Sequence, residues 1–232
     1  VRIAVRVLLL CALAPIRAMS SRLRGATVSR ALLCALGAGL AGCLPSPANV
    51  PPQQYYVLSD LAKPAPAQRP APAGRALLVN PTVTSPFYDT QSLVYSRTAG
   101  QRSYYQFASW TERPGRRFSE LLMRRLEARG AFASVASTTA GVRGDVIVNT
   151  RLDELYQDAS ASPGRVVVEV MAEIVDYTER TVVARRRFSQ SVATGGDNAA
   201  AAVAAFNQAT TSLLDEASAW VETAGATRPP AR

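Results

Sequence analysis

The clearest alternation in the chain runs from Arg165 to Tyr177. Val166, Val168, Val170, Ala172 and Ile174 interleave with Val167, Glu169, Met171 and Glu173. A period of two sets one group of side chains on a core and leaves the other partly wet. Asp145–Tyr156 and Thr181–Val192 read as companion strands, joined to it through turns at Pro163-Gly164 and Thr178-Glu179-Arg180. Upstream, Ala76-Leu77-Leu78-Val79 is a short apolar run of the buried-strand kind. Ser92-Leu93-Val94-Tyr95-Ser96 and Ser103-Tyr104-Tyr105-Gln106-Phe107 flank Ala99-Gly100-Gln101 as a hairpin. Two segments then change to a helical period. After Pro114-Gly115, the side chains of Phe118, Leu121, Leu122 and Leu126 share a face, Arg116, Arg117, Arg124 and Arg129 fall mainly elsewhere, and Gly130 supplies a stop. After the break and cap at Gly195-Gly196-Asp197-Asn198, Val203, Phe206, Thr210, Leu213, Leu214, Ala217, Trp220 and Val221 recur at spacings of three and four. The polar face of this last helix has Asn207, Gln208, Asp215, Glu216 and Glu222 but no Lys or Arg, which suits packing on a sheet better than lying on an anionic membrane. Strands, helix, more strands and a final helix predict an α+β fold: a single domain with a mostly antiparallel sheet and two main helices packed on one face.

The amino-terminal part follows another pattern. An apolar stretch from Ala31 ends in Leu40-Ala41-Gly42-Cys43, with Arg22, Arg24 and Arg30 upstream and no acidic residue before Asp60. A basic head, a short apolar run and small residues before a cut are the parts of a secretory signal. With cysteine after the cut, the pattern resembles the lipobox of bacterial lipoproteins. That resemblance implies a diacylglycerol on the Cys43 thiol, removal of residues 1–42 and an acylated new terminus. The apolar run of about a dozen residues is too short for the roughly 20 that a spanning helix needs. Residues 1–18 form a second basic-then-apolar stretch, and Met19 is the expected start of translation. Residues 43–75 are expected to be a lipidated terminus and Pro/Ala-rich tether, 76–222 the domain, and 223–232 a disordered tail. The proline-rich segments 44–54 and 62–75 total about 25 residues, a semi-rigid spacer of up to about 75 Å at roughly 3 Å per residue. Tyr55-Tyr56-Val57-Leu58 is a strand-like patch between them.

Composition narrows the function. The 232 residues hold 26 basic and 17 acidic side chains, a net of +9. Arg2, Arg6, Arg17, Arg22, Arg24 and Arg30 precede Cys43, so 26 − 6 leaves 20 basic against 17 acidic and a net of +3 from Cys43 onward. That balance is too mild to argue for nucleic acid. Cys11 and Cys34 also precede Cys43, so no disulfide can form within the mature chain. There is no histidine, which removes the commonest general base and metal ligand. Gly-x-Ser-x-Gly and Walker-type glycine loops are absent as well. Asp153-Glu154 with Asp158, and Asp176 with Glu179, read as solvated turn carboxylates rather than acid/base or Ca²⁺ groups. Alternation splits Arg185-Arg186-Arg187, with Arg186 opposite the other two, which fits a solvated or acid-paired strand face better than a headgroup site. Tyr104, Tyr105, Phe107 and Trp110 serve equally well as core or as a partner surface, since interface anchors are often aromatic or Arg. Arg102, Tyr104 and Tyr105 are the partner-binding candidates. No catalytic residue, metal site or cofactor is expected, apart from the covalent lipid on Cys43.

From the lipobox to the final helix the chain resembles the ABC-type transport auxiliary lipoproteins, the PqiC-like group. The resemblance is carried by Gln54-Tyr55-Tyr56-Val57-Leu58 after the lipidated cysteine and by Leu77-Leu78-Val79 leading to Val94-Tyr95. It continues through the aromatic strand 104–107, Trp110-Thr111-Glu112-Arg113-Pro114 before a helix, Asp145-Val146-Ile147-Val148 and the closing helix. Pro86-Phe87-Tyr88-Asp89 departs from the family pattern. The resemblance implies a non-enzymatic subunit of an envelope transport system built on an ABC permease/ATPase and an MCE-domain (MlaD-like) protein, moving phospholipids or other hydrophobic molecules between the membranes of Gram-negative bacteria. Leu44 stands where a retention aspartate would hold a lipoprotein in the inner membrane, so the expected site is the periplasmic face of the outer membrane, with a homo-oligomer left open. The alternative is a structural or assembly lipoprotein, pilotin-like or an outer-membrane biogenesis factor.

Overall fold

A computed structural model describes residues 51–63 and 74–225. In chain order these form β1 (Gln54–Tyr56), β2 (Ala76–Val79), β3 (Val83–Thr84), β4 (Ser92–Ser96), β5 (Ser103–Trp110), α1 (Pro114–Arg129), β6 (Ser134–Ser137), β7 (Val146–Asp158), β8 (Arg165–Asp176), β9 (Thr181–Ala193) and α2 (Ala199–Gly225). Everything hangs on β7. One edge pairs antiparallel with β8 along its whole length, and β8 pairs antiparallel with β9. The other edge takes β2, β3 and β4 in turn, all parallel, through Leu77↔Val146, Val83↔Arg151 and Tyr95↔Gln157. The joints between them are also bonded: Asn80 N donates to Val148 O and Ser85 N to Leu152 O, each at 3.0 Å, and Ala159 N donates to Ser96 O at 2.7 Å. Residues 76–96 therefore act as one interrupted parallel partner of β7.

The sheet is mixed. Its long ladders are the antiparallel ones that the alternation and tight turns predict, because a hairpin needs only a short connection. The short ladders β1–β5, β2–β6 and β2–β7 are parallel, and α1 lies in the crossover between β5 and β6. A register shift between Leu152 and Glu154 moves the buried set of β7 from Val146, Val148, Thr150 and Leu152 to Leu155 and Gln157. Such a bulge re-aims side chains. Here it leaves Glu154 off the core, where an unpaired carboxylate would be costly.

Both helices contribute to one core. Pro114 opens α1, and Gly130 closes it at φ 67°, its N–H donating to Leu126 O and Glu127 O. A Cβ on Gly115 would lie 2.0 Å from Thr84 Oγ1 and 3.3 Å from the Thr82 carbonyl, so the helix start rests directly on β3. In α2, Asn198 Oδ1 accepts from Ala201 N at 2.9 Å as the cap. Phe206 meets Trp110 edge-on at 5.5 Å between centroids, and Trp220 meets Phe188 edge-on at 5.7 Å. Phe206 and Leu213 are fully buried, while Trp220 is only partly so.

Two boundaries differ from the sequence reading. Residues 51–63, expected to belong to the tether, include a strap built into the domain. β1 pairs with β5, Leu58 enters the core, Ser59 N donates to Asn207 Oδ1 at 2.9 Å, and Leu61 N donates to Thr211 Oγ1 at 2.8 Å. Asp60 accepts from Arg125 Nη2 at 2.5 Å. The physical reason is the strand preference of the aromatic and aliphatic run Tyr55-Tyr56-Val57-Leu58, enough to add an edge strand despite prolines on either side. Only 44–53 then separate Cys43 from β1, so that connection reaches at most about 40 Å at about 3.6 Å per residue. At the other end α2 runs to Gly225, past the expected tail boundary at Thr223. Leu40, Ala41, Gly42 and Cys43, with residues 64–73 and 226–232, lie outside the described residues. No described helix is long and apolar enough to cross a membrane.

Candidate docking surface

Directly after β3, a tight turn brings aromatic side chains together. Tyr88 N and Asp89 N both donate to Ser85 O, at 2.8 and 3.1 Å. This folds Phe87 onto Tyr104 with rings 4.9 Å apart and 11° from parallel, and sets Tyr88 edge-on to Phe87 at 5.6 Å. Tyr88 is buried beneath. Its hydroxyl donates to Glu154 Oε2 and accepts from Arg102 Nε at 3.0 Å. The Arg102 guanidinium lies 3.6 Å over the Tyr156 ring, with Nη2 3.3 Å from Glu154 Oε2. Burial, then the bond to the Glu154 carboxylate, pushes the Tyr88 phenol well above its ordinary value. It therefore stays protonated and keeps donating to Glu154.

This arrangement is suited to binding. Tyr88, Arg102, Glu154 and Tyr156 form a base held by charge-assisted bonds. Above it Phe87 and Tyr104 are 40% and 46% exposed, and an aromatic pair that is already ordered loses little entropy on docking. An open groove of about 740 Å³ runs nearby along Val83, Thr84, Gln91 and the first residues of α1, bordered by the Asp89–Arg113 ion pair at 3.3 Å.

The three partner candidates do not stay together. Arg102 and Tyr104 both belong to the aromatic cluster. Tyr105 points the opposite way, half-buried, with its hydroxyl donating to Gln157 Oε1 and its ring edge-on to Tyr95 at 5.0 Å. Trp110 is core, and Phe107 is part-buried on β5. Of the carboxylates considered for chemistry, Asp153, Asp158 and Asp176 are engaged in turns and ion pairs, while Glu179 contributes its backbone N–H and is exposed. Asp158 accepts from Ser160 Oγ and N at 2.6 and 3.1 Å, which lowers its pKa. Asp176 accepts from Glu179 N and Thr178 N at 2.9 Å, and Asp153 pairs with Arg151 at 2.6 Å. Arg185 pairs with Glu173 and Arg187 with Glu169, while Arg186 lies 5.0 Å over Phe188. Among the described residues no group of three His, Cys, Asp or Glu side chains is placed to hold a metal ion. Phe87, Tyr88 and Tyr156 were not among the partner candidates, and Glu154, expected to be a solvated turn carboxylate, instead lies within β7 with its carboxylate held by Tyr88 and Arg102. The turn signal at Pro86-Phe87-Tyr88-Asp89 could have pointed to Phe87 and Tyr88. Glu154 and Tyr156 depend on the β7 bulge, whose one sequence mark is the step from Leu152 to Leu155, where the period of two breaks.

The fold defines a class first: an α+β domain with a mixed sheet and both helices against the same core. The chain belongs to the family of the ABC-type transport auxiliary lipoprotein component, whose model matches residues 56–218 and so begins inside the strap. The crystal structure of protein XCC0632 from Xanthomonas campestris is similar over 74% of this chain and 96% of that one, at 25% identity and a TM-score of 0.65. A second crystal structure, of an uncharacterized protein, shares the fold over 74% of this chain and 99% of its own, at 13% identity and a TM-score of 0.58. A looser likeness is to the PelC dodecamer from Paraburkholderia phytofirmans, at 13% identity over 67% of this chain and 91% of that one, with a TM-score of 0.41. No curated protein matches the chain.

Proposed function

We propose that the protein is a non-enzymatic, lipid-anchored periplasmic subunit of an ABC/MCE-type envelope transport system. In this reading it docks the MCE-domain protein of the system, which works with the ABC permease and ATPase to move phospholipids or other hydrophobic molecules between the membranes. The observation that carries the reading is the exposed Phe87–Tyr104 stack on its Arg102–Tyr88–Glu154 base, in a member of a transport-auxiliary family. Cys43 carries the lipid, and Leu44 favours the inner leaflet of the outer membrane. With the strap built into the domain, the leash is about 40 Å at most, so the partner must project most of the way across the periplasm. A photo-crosslinking residue at Phe87 or Tyr104, in cells that express the complete system, should capture the MCE-domain protein. A probe at Tyr105 should not. Capture of a secretin or a barrel protein alone would replace this reading with the assembly-factor one. Cys43→Ala should abolish palmitate labelling, and unchanged labelling would remove the anchor from the proposal.

A further inference from the structure

The strap has two unlike faces. Tyr56 and Leu58 turn inward, so alternation sends Tyr55 and Val57 outward. Tyr55, Val57 and Leu61 are 66, 45 and 60% exposed. They are held there by the body of the domain, since Asn207 and Thr211 of α2 bind the backbone at Ser59 and Leu61. The one carboxylate of the strap, Asp60, is taken by Arg125, and the exposed side chain that follows is cationic Lys63. Of the other large exposed apolar side chains, Val83, Phe87 and Tyr104 belong to the docking surface and its groove, and Val142, Tyr177 and Val182 lie much later in the chain.

We infer that Tyr55, Val57, Leu61 and Lys63 form a lipid-contacting edge that lays the strap on the same leaflet that holds the Cys43 lipid. This rests on the lipidation of Cys43 proposed above. The length of the intervening chain selects the occupant. The connection to β1 is about 40 Å at full extension, so these side chains meet that leaflet at the high effective concentration, of millimolar order, that a short connection provides. Contacts too weak to bind a membrane unaided are then sufficient. The residue types agree with this setting. A tyrosine places an apolar ring and a polar hydroxyl at the headgroup boundary, aliphatic side chains enter just below it, and a lysine keeps its charge among headgroups while its stem lies along apolar surface. The contact would also fix how the domain is turned relative to the membrane.

The test uses the full chain, expressed in a Gram-negative host, purified in detergent and reconstituted into vesicles of phosphatidylethanolamine and phosphatidylglycerol. Single substitutions Tyr55→Cys, Leu61→Cys and, as controls, Tyr177→Cys and Val182→Cys are labelled with a thiol-reactive environment-sensitive dye. A lipid-borne quencher should reduce emission at positions 55 and 61 at least twofold more than at 177 and 182, with a blue shift only at the first pair. Equal quenching at all four positions overturns the inference. So does a blue shift at 55 and 61 that depends on protein concentration and not on the quencher, because the strap then covers protein. The unsubstituted chain separates the two levels of the argument. A blocked Cys43 thiol takes no dye, whereas labelling at Cys43 shows that the anchor itself is missing and removes both readings.

Discussion

Glu154 and Glu169 lie directly opposite one another across the β7–β8 ladder. Like charges in that position repel, and each carboxylate has its own compensation. Glu154 receives Arg102 at 3.3 Å and the Tyr88 hydroxyl, while Glu169 receives Arg187 at 3.4 Å and Ser189 at 3.3 Å. The docking surface is thus built on a repulsion that Arg102 neutralises.

Arg102→Met keeps the stem over Tyr156 and removes the charge. It should destabilise the domain by about 1–2 kcal/mol, from the loss of bonds to a charged group and of a cation–π contact, read as a lower urea midpoint. Glu154→Gln in the same chain should recover part of the loss, because one of the facing carboxylates is then neutral. Additive losses would show that Glu154 and Arg102 are not coupled. Crosslinking from position 104 should weaken in Arg102→Met, since the base that orients the stack is gone.

The helices and the three long strands were legible because periods of 3.6 and 2 extend over many residues. Val166 to Ile174 are buried in the alternation that the sequence displays, and Phe118, Leu121, Leu122 and Leu126 form the buried face of α1. Three features were hidden for separate reasons. The parallel ladders of β2, β3 and β4 on β7 are short pairings between distant segments, and local pattern carries no information about which segments meet. The bulge before Glu154 reverses which residues are buried without any glycine to mark it. The strap was seen as strand-like, but neighbouring prolines made it look like spacer. For the candidate site, Arg102 and Tyr104 were identified from residue type alone, and Tyr105 was grouped with them although adjacent strand residues face opposite ways.

Gly115→Ala tests the close approach of α1 to β3. Helix propensity alone would favour alanine by about 1 kcal/mol. The added methyl would instead meet Thr84 Oγ1 at 2.0 Å and the Thr82 carbonyl at 3.3 Å, and the β-branched Thr84 has little rotamer freedom to yield. A net loss of about 1–2 kcal/mol is expected. Thr84→Ala in the same chain should restore most of it, and a thermal melt of the two variants decides the matter.

Acid stability should depend on Asp176. Its carboxylate accepts from Glu179 N and Thr178 N and pairs with Arg75 at 2.5 Å, and the net effect holds its pKa below the usual carboxylate value. A group depressed on folding contributes stability that is complete above the unfolded value, near pH 4, and is lost as pH falls through the folded value. Urea unfolding between pH 6 and pH 2 should therefore show stability falling with acid. Asp176→Asn should be less stable at pH 6 and less sensitive between pH 4 and pH 2. An unchanged acid slope would assign that sensitivity to other groups, Asp158 first among them because its pKa is lowered in the same sense.

The strap gives the sharpest contrast between spacer and domain. If residues 51–63 were a spacer, Leu58→Ala would change nothing. In the structure Leu58 is buried in the core that contains Trp110 and Phe206, so truncation should cost about 2–4 kcal/mol. Asn207→Ala should also destabilise, by about 1 kcal/mol, through the bond from Ser59 N. Because Asn207 and Leu58 act on the same strap, their losses should be less than additive once it has detached. Hydrogen exchange at Tyr56, Ser59 and Leu61 supplies an independent readout. Those amides should be protected in the native chain and exchange faster in Leu58→Ala, while β8 amides keep their protection. Rapid exchange at all three in the native chain would return the segment to the tether, and the leash would then regain the longer reach expected from proline content alone.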